Sequence, residues 1–143
     1  MSEQGSRKDL WRILRQFPVC MLTTHDRGVL RSRPMAPAID EDRQELLFLT
    51  RASSHTADEI GRHTEVNLSF ADPEQDLFIS VSGDGRLALE PDKARRLWNR
   101  YAEAFLPEGP DSPDVAVLHV APTEAEYWTG GELRRMDEAE LRA

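Results

Sequence analysis

From Lys8 to Phe17 the apolar residues Leu10, Trp11, Ile13, Leu14 and Phe17 recur at the spacing of one helical face, and Pro18 ends the run. This predicts a first helix that covers a core. The period then changes. "VCMLTTH" is rich in strand formers, "DRG" supplies a turn, and "VLRSRPMAPAI" resumes an extended pattern, which together predict a hairpin. Pro34 and Pro37 cannot donate to a ladder, so the second strand should be an edge, be bulged, or face a ligand.

A polar turn, "DEDRQ", leads to "ELLFLT". After "RASS" a short helix is expected, with Ser53 or Ser54 as its cap and Asp58 and Glu59 in its first turns. "TEVNLSFA" and "DLFISVSGDGRLALE" read as two more strands, the second bulged or bent at Gly83 and Gly85. "PDKARRLWNRYAEAF" carries Ala94, Leu97, Trp98, Tyr101 and Phe105 at helical spacing and predicts a second substantial helix, and "VAVLHVAP" is the last clear strand. The expected fold is mainly β with helices (α+β), an antiparallel barrel of about six strands with helical covers. Residues 1–143 read as a single domain, with 1–7 and 131–143 as flexible ends, the latter a frayed helix or disordered.

A length of 143 residues suits one core without metal or disulfide staples. Lys and Arg number 18 against 26 Asp and Glu, a net charge of −8, which disfavours nucleic acid and anionic membranes as partners. Cys20 is the only cysteine and sits in an apolar run, so it reads as core, and a reducing compartment is the simpler setting. No apolar stretch follows the basic residues of the N-terminus, and the expectation is a cytoplasmic chain. The histidines at 25, 55, 63 and 119 show no metal-ligand spacing, no nucleophile motif occurs, and "GDG" and "GG" lack the context of a phosphate loop.

Anion binding is the chemistry left. Arg31 and Arg33 share one face of a strand and offer forked donors, while "SSHT" offers hydroxyls and free amides at a helix start. Two readings of these features stand. The arginines and serines hold a phosphorylated ligand, or each arginine pairs with one of the many carboxylates and the serines cap a helix.

The ordered motifs "FPVCMLTT", "LRSRPMAP", "LLFLTRASSHTADEI", "VNLSFADP", "ISVSG", "RRLWNRYAEAFLPEG" and "EAEYWTG" resemble the pyridoxamine 5′-phosphate oxidase-like FMN-binding split-barrel family, especially its general-stress-protein branch. The likeness runs from about Leu10 to Gly130. It implies flavin contacts at Arg31, Ser32, Arg33, Pro34 and Met35, then at Phe48, Leu49 and Thr50, and at Ser54, His55 and Thr56. It also implies a homodimer with flavin at the interface, near which Trp98, Phe105 and Trp128 match aromatic positions that serve flavin stacking or plain packing. Relatives commonly carry Lys or Arg where Thr56 stands, and Gln where Asp76 stands.

By resemblance the chain is an FMN-binding protein, a flavin-dependent oxidoreductase of unknown substrate in a stress setting. "YWTGGELRRM" has no histidine, so the Arg-x-His grip of pyridoxamine phosphate oxidases is missing and vitamin B6 oxidation is not implied. Deazaflavin is the alternative cofactor. A flavin-sequestering module and a degenerate barrel without cofactor are the alternative functions. No side chain identifies itself as an acid or base, and no metal is expected.

Overall fold

The computed structural model describes the backbone of residues 3–142 and the side chains of residues 8–142. The chain runs α1 (Glu3–Leu14), β1 (Cys20–Asp26), β2 (Val29–Met35), β3 (Ala38–Asp40), β4 (Glu45–Arg51), α2 (His55–Arg62), β5 (Glu65–Asp72) and β6 (Leu77–Ala88). It continues through α3 (Pro91–Leu97), α4 (Arg100–Phe105), β7 (Val115–Thr129), β8 (Glu132–Asp137) and α5 (Glu138–Arg142). The α+β split barrel expected from the sequence is the fold observed.

All strands belong to one antiparallel sheet in the order β2-β1-β5-β6-β7-β4-β3, with β8 also paired to β7. The two ends of this path, β2 and β3, are consecutive in the chain and separated only by Ala36 and Pro37. This short link holds the end of one edge close to the start of the other. Pro34 and Pro37 lack the amide hydrogens that would help zip those edges together, so a seam is left where a closed barrel would have a ladder. β2 is the edge strand that its prolines predict.

The long strands β6 and β7 turn the corner of the barrel. Ser82 pairs with Glu124 and Gly83 with Pro122, which leaves Thr123 as an extra residue whose hydroxyl donates to the Ser82 carbonyl at 3.2 Å. A Cβ on Gly83 would stand 2.6 Å from the Ala121 carbonyl oxygen, so only glycine fits this approach.

Leu22, Leu46, Phe48, Leu68, Val81 and Leu118 fill the barrel, and Leu10, Trp11 and Leu14 of α1 cover it. Phe17 meets Phe70 edge-on with ring centroids 5.4 Å apart. Alternation along β4 sends Leu47 to the opposite face, where it packs with Ala94, Leu106, Val115 and Val117 beneath α3 and α4.

The structure corrects three expectations. The described residues form eight strands instead of about six, because "VLRSRPMAPAI" reads as one extended run but divides into β2 and β3, and the charged β8 carries too little hydrophobic pattern to register. The tail expected to be flexible is ordered over β8 and α5, with Met136 and Leu141 buried in the core; residues 1, 2 and 143 lie outside the described residues. The helix expected over Pro91–Phe105 is two helices, since Asn99 is extended and its Oδ1 accepts from the amides of Tyr101 and Ala102, capping α4 afresh.

Candidate functional site

A cleft of about 310 Å³ opens at the seam of the barrel. One wall is the end of β2 and the crossing to β3, with Pro34, Met35, Ala36 and Ala38. The floor is the outward face of β4, with Leu47, Leu49 and Arg51, and the opposite wall is the α3–α4 junction, with Leu97, Asn99, Tyr101 and Phe105. Thr50 and Ser54 close the end nearest α2.

That end is built by capping. Ser54 is extended, and its Oγ accepts from the Ala57 amide at 3.1 Å, while its own amide donates to the Arg51 carbonyl at 3.0 Å. Thr50 Oγ1 lies 3.2 Å from Ser54 Oγ. The amides of His55 and Thr56 open the first turn of α2, where helix geometry offers them no carbonyl partner. His55 is exposed and Thr56 half-buried at this turn.

Of the residues expected from the sequence, Pro34, Met35, Leu49, Thr50 and Ser54 converge on the cleft. Most of the others lie elsewhere. Phe48 points the other way along β4 and is packed in the barrel core. Arg33 donates to Thr24 Oγ1 at 2.7 Å, to the Leu22 carbonyl at 3.2 Å and to Glu59 at 3.0 Å, so its guanidinium ties β2 to α2. Arg31 is 61% exposed on the same strand face, 3.6 Å from Asp26 and 4.0 Å from Glu59. Ser32 shares a 2.6 Å hydrogen bond with Thr23. Trp98 packs on the cluster beneath α3 and α4 and donates to Glu103 at 2.7 Å, and Trp128 lies on the outer face of β7. Phe105 borders the cleft but is largely exposed.

The carboxylate reading of Arg33 and the capping reading of Ser54 are both observed. The partner of Arg33 is Glu59, which α2 turns inward so that it is only 5% exposed. Placing Glu59 simply in an acidic first turn missed this.

Arg51 also escaped the sequence reading. It is the only cationic side chain among the described residues lining the cleft. Its Nε and one terminal nitrogen donate to Glu108 at 2.7 and 3.0 Å, and that terminal nitrogen also reaches the Phe105 carbonyl at 3.1 Å. These bonds raise the Arg51 pKa and hold the Glu108 carboxyl below the usual carboxylate range. Alongside, Ser53 donates from its amide and hydroxyl to Asp114 at 3.1 and 2.6 Å. No group of three or more His, Cys, Asp or Glu side chains that could hold a metal occurs among the described residues.

Known proteins share this architecture. A protein related to general stress protein 26 from Clostridium acetobutylicum superposes with a TM-score of 0.80 at 15% identity, covering 99% of each chain. The general stress FMN/FAD binding protein of Xanthomonas citri superposes with a TM-score of 0.73 at 27% identity, over 88% of this chain and 89% of that one. Protein bli-3 of Neurospora crassa is 30% identical over 130 residues, which are 83% of this chain but only 62% of the length of that relative. The profile of the family described as pyridoxamine 5′-phosphate oxidase like matches residues 5–137, and the chain belongs to that family.

Proposed function

We propose that this protein binds a flavin, FMN, in the seam cleft, and that the bound flavin performs redox chemistry on a small molecule. The observation that carries this reading is the convergence of Pro34, Met35, Leu49, Thr50 and Ser54 on one cleft from three separate stretches of chain. The residues fit the group. Pro34, Met35, Leu47, Leu49 and Leu97 give apolar walls to a planar ring, and Thr50, Ser54 and the start of α2 offer donors at one end for a phosphate. A relative 27% identical, the Xanthomonas citri protein, is an FMN/FAD binding general stress protein, which supports both the ligand and the stress setting.

When bound, the flavin supplies the hydride or electron transfer, and this chain orients it and limits its contact with water. Association as a homodimer is part of the proposal. Phe78, Trp128 and Leu133 lie in register across β6, β7 and β8 on the outer sheet face, each more than a third exposed. A second copy that covers this apolar row would bring Trp128 to the interface. No helix among the described residues is long and apolar enough to cross a membrane.

A second reading, flavin sequestration without turnover, is favoured by the lining itself. Apolar side chains, hydroxyls, one amide and one guanidinium hold a ligand without presenting a carboxylate or imidazole to move its protons. The visible spectrum and mass of the molecule that copurifies identify the ligand, and anaerobic mixing with NADH and NADPH separates the readings. Rapid flavin reduction supports the oxidoreductase; none supports sequestration.

A further inference from the structure

Among the described residues, the seam cleft has one cation in its lining, and that cation is already held by a carboxylate. Arg33 of β2 is engaged by Glu59, Thr24 and the Leu22 carbonyl, and Arg31 lies beside Asp26 and Glu59. Thr56 brings no charge to the start of α2. Arg51 stands at the same end of the cleft as Thr50 and Ser54, since its carbonyl accepts the Ser54 amide and its side chain lines the cleft. Its forked bond to Glu108 uses the two-pronged geometry with which an arginine also grips a phosphate. The pair is partly open to solvent, with side chains 40% and 31% exposed, so exchange of one anion for another does not require unpacking a core.

Resting on the flavin reading above, we propose that Arg51 is the residue that reads the ligand's phosphate, and that Glu108 is its internal competitor, occupying the guanidinium until a phosphorylated ligand displaces it. Phosphate affinity in this chain then comes from β4 rather than from a cation on α2. The carboxylate sets a threshold: a ligand with the same ring and no phosphate gains nothing from Arg51, and one with a phosphate must outcompete Glu108. The contact of Arg51 with the Phe105 carbonyl makes the exchange felt at the α4 wall, because the guanidinium that leaves Glu108 is also the one bonded to the end of α4.

The test compares FMN with riboflavin, which has the same ring and no phosphate, on the wild-type chain and on Glu108→Gln, Arg51→Gln and Arg51→Lys. Glu108→Gln should tighten FMN about tenfold and Arg51→Gln should weaken it by about tenfold or more, with riboflavin unchanged within about twofold in both. Arg51→Lys, which keeps the charge and loses the fork, should fall between. Riboflavin binding reports that each variant is folded. Equal shifts for FMN and riboflavin, or no shift in FMN for either Gln variant, would overturn the assignment of Arg51 while leaving the flavin site in place. A wild-type chain that binds neither compound would overturn the flavin reading itself, and this assignment with it.

Discussion

The guanidinium of Arg33 lies 3.0 Å from the carboxylate of Glu59, joining the edge strand β2 to helix α2 across the end of the barrel. Thr24 completes the group, accepting from Arg33 at 2.7 Å and donating to Glu59 at 3.1 Å. The guanidinium of Arg33 thus has its partners within the fold, and it ties α2 to the edge strand.

Removing either partner should leave the other charge poorly compensated. Arg33→Met and Glu59→Leu are each expected to cost about 2–3 kcal/mol, less than a wholly buried pair because Arg33 keeps some solvent contact. The double change Arg33→Met with Glu59→Leu should recover most of that loss. Urea unfolding of the four proteins measures the coupling; single costs below about 0.5 kcal/mol that simply add would show the pair to be incidental.

The distance between what was legible and what was not follows from this pair. The hairpin, the edge character of β2, the Ser54 cap and the bend at Gly83 are local features, written in prolines, hydroxyls and glycines at particular positions. Glu59 and Arg33 are 26 residues apart, and nothing in either neighbourhood announces the other. The seam cleft was legible only in part for the same reason. Its β2, β4 and α2 residues come from motifs, but the α3–α4 wall depends on Asn99 breaking a stretch whose periodicity reads as continuous, and Arg51 is recognisable only once that wall stands beside it. That the Phe48 side chain faces the core was not legible either, because a run of apolar residues in a strand does not reveal which alternate set does so.

The acid limb of stability has a named source. His119 is buried in β7 with its ring nitrogens facing Glu45 and Glu90, and its hydrogen bond lowers the Glu90 pKa, aided by nearby Lys93. A carboxylate whose folded pKa is depressed stabilises the fold above its unfolded value, near 4.5, and that contribution is lost as pH falls through the folded value. Glu90→Gln should therefore lower stability at pH 7 and flatten the decline below about pH 4.5. Thermal melts across pH decide it; an unchanged acid limb would remove Glu90 as its source.

Burial pushes the Cys20 thiol up to about 12, so it stays protonated and enclosed at working pH. Because its folded pKa lies above its unfolded value of about 9, the thiol favours the fold below that pH and the contribution fades as pH rises toward 12. A thiol reagent at pH 8 should label the chain only as urea unfolds it, with one equivalent taken up. Prompt labelling of the native protein would place Cys20 in an accessible setting.

The outer sheet face supplies the test of assembly. Trp128→Glu puts a charge in the middle of the Phe78–Trp128–Leu133 row, and is expected to convert a micromolar dimer to a monomer with little loss of fold stability, since Trp128 is 39% exposed in the single chain. Sedimentation velocity measures both states. A wild-type monomer would remove the dimeric part of the proposal.

The central claim, a flavin held in the seam, is tested most directly by titrating purified chain into FMN and following flavin fluorescence, with calorimetry alongside. The expected result is saturable quenching at one FMN per chain, weakened by Leu49→Arg, which would fill the floor of the cleft with a charged side chain while leaving the barrel core intact. Calorimetric titrations showing no heat with FMN, FAD or a deazaflavin, and fluorescence that never departs from that of free flavin, would contradict it.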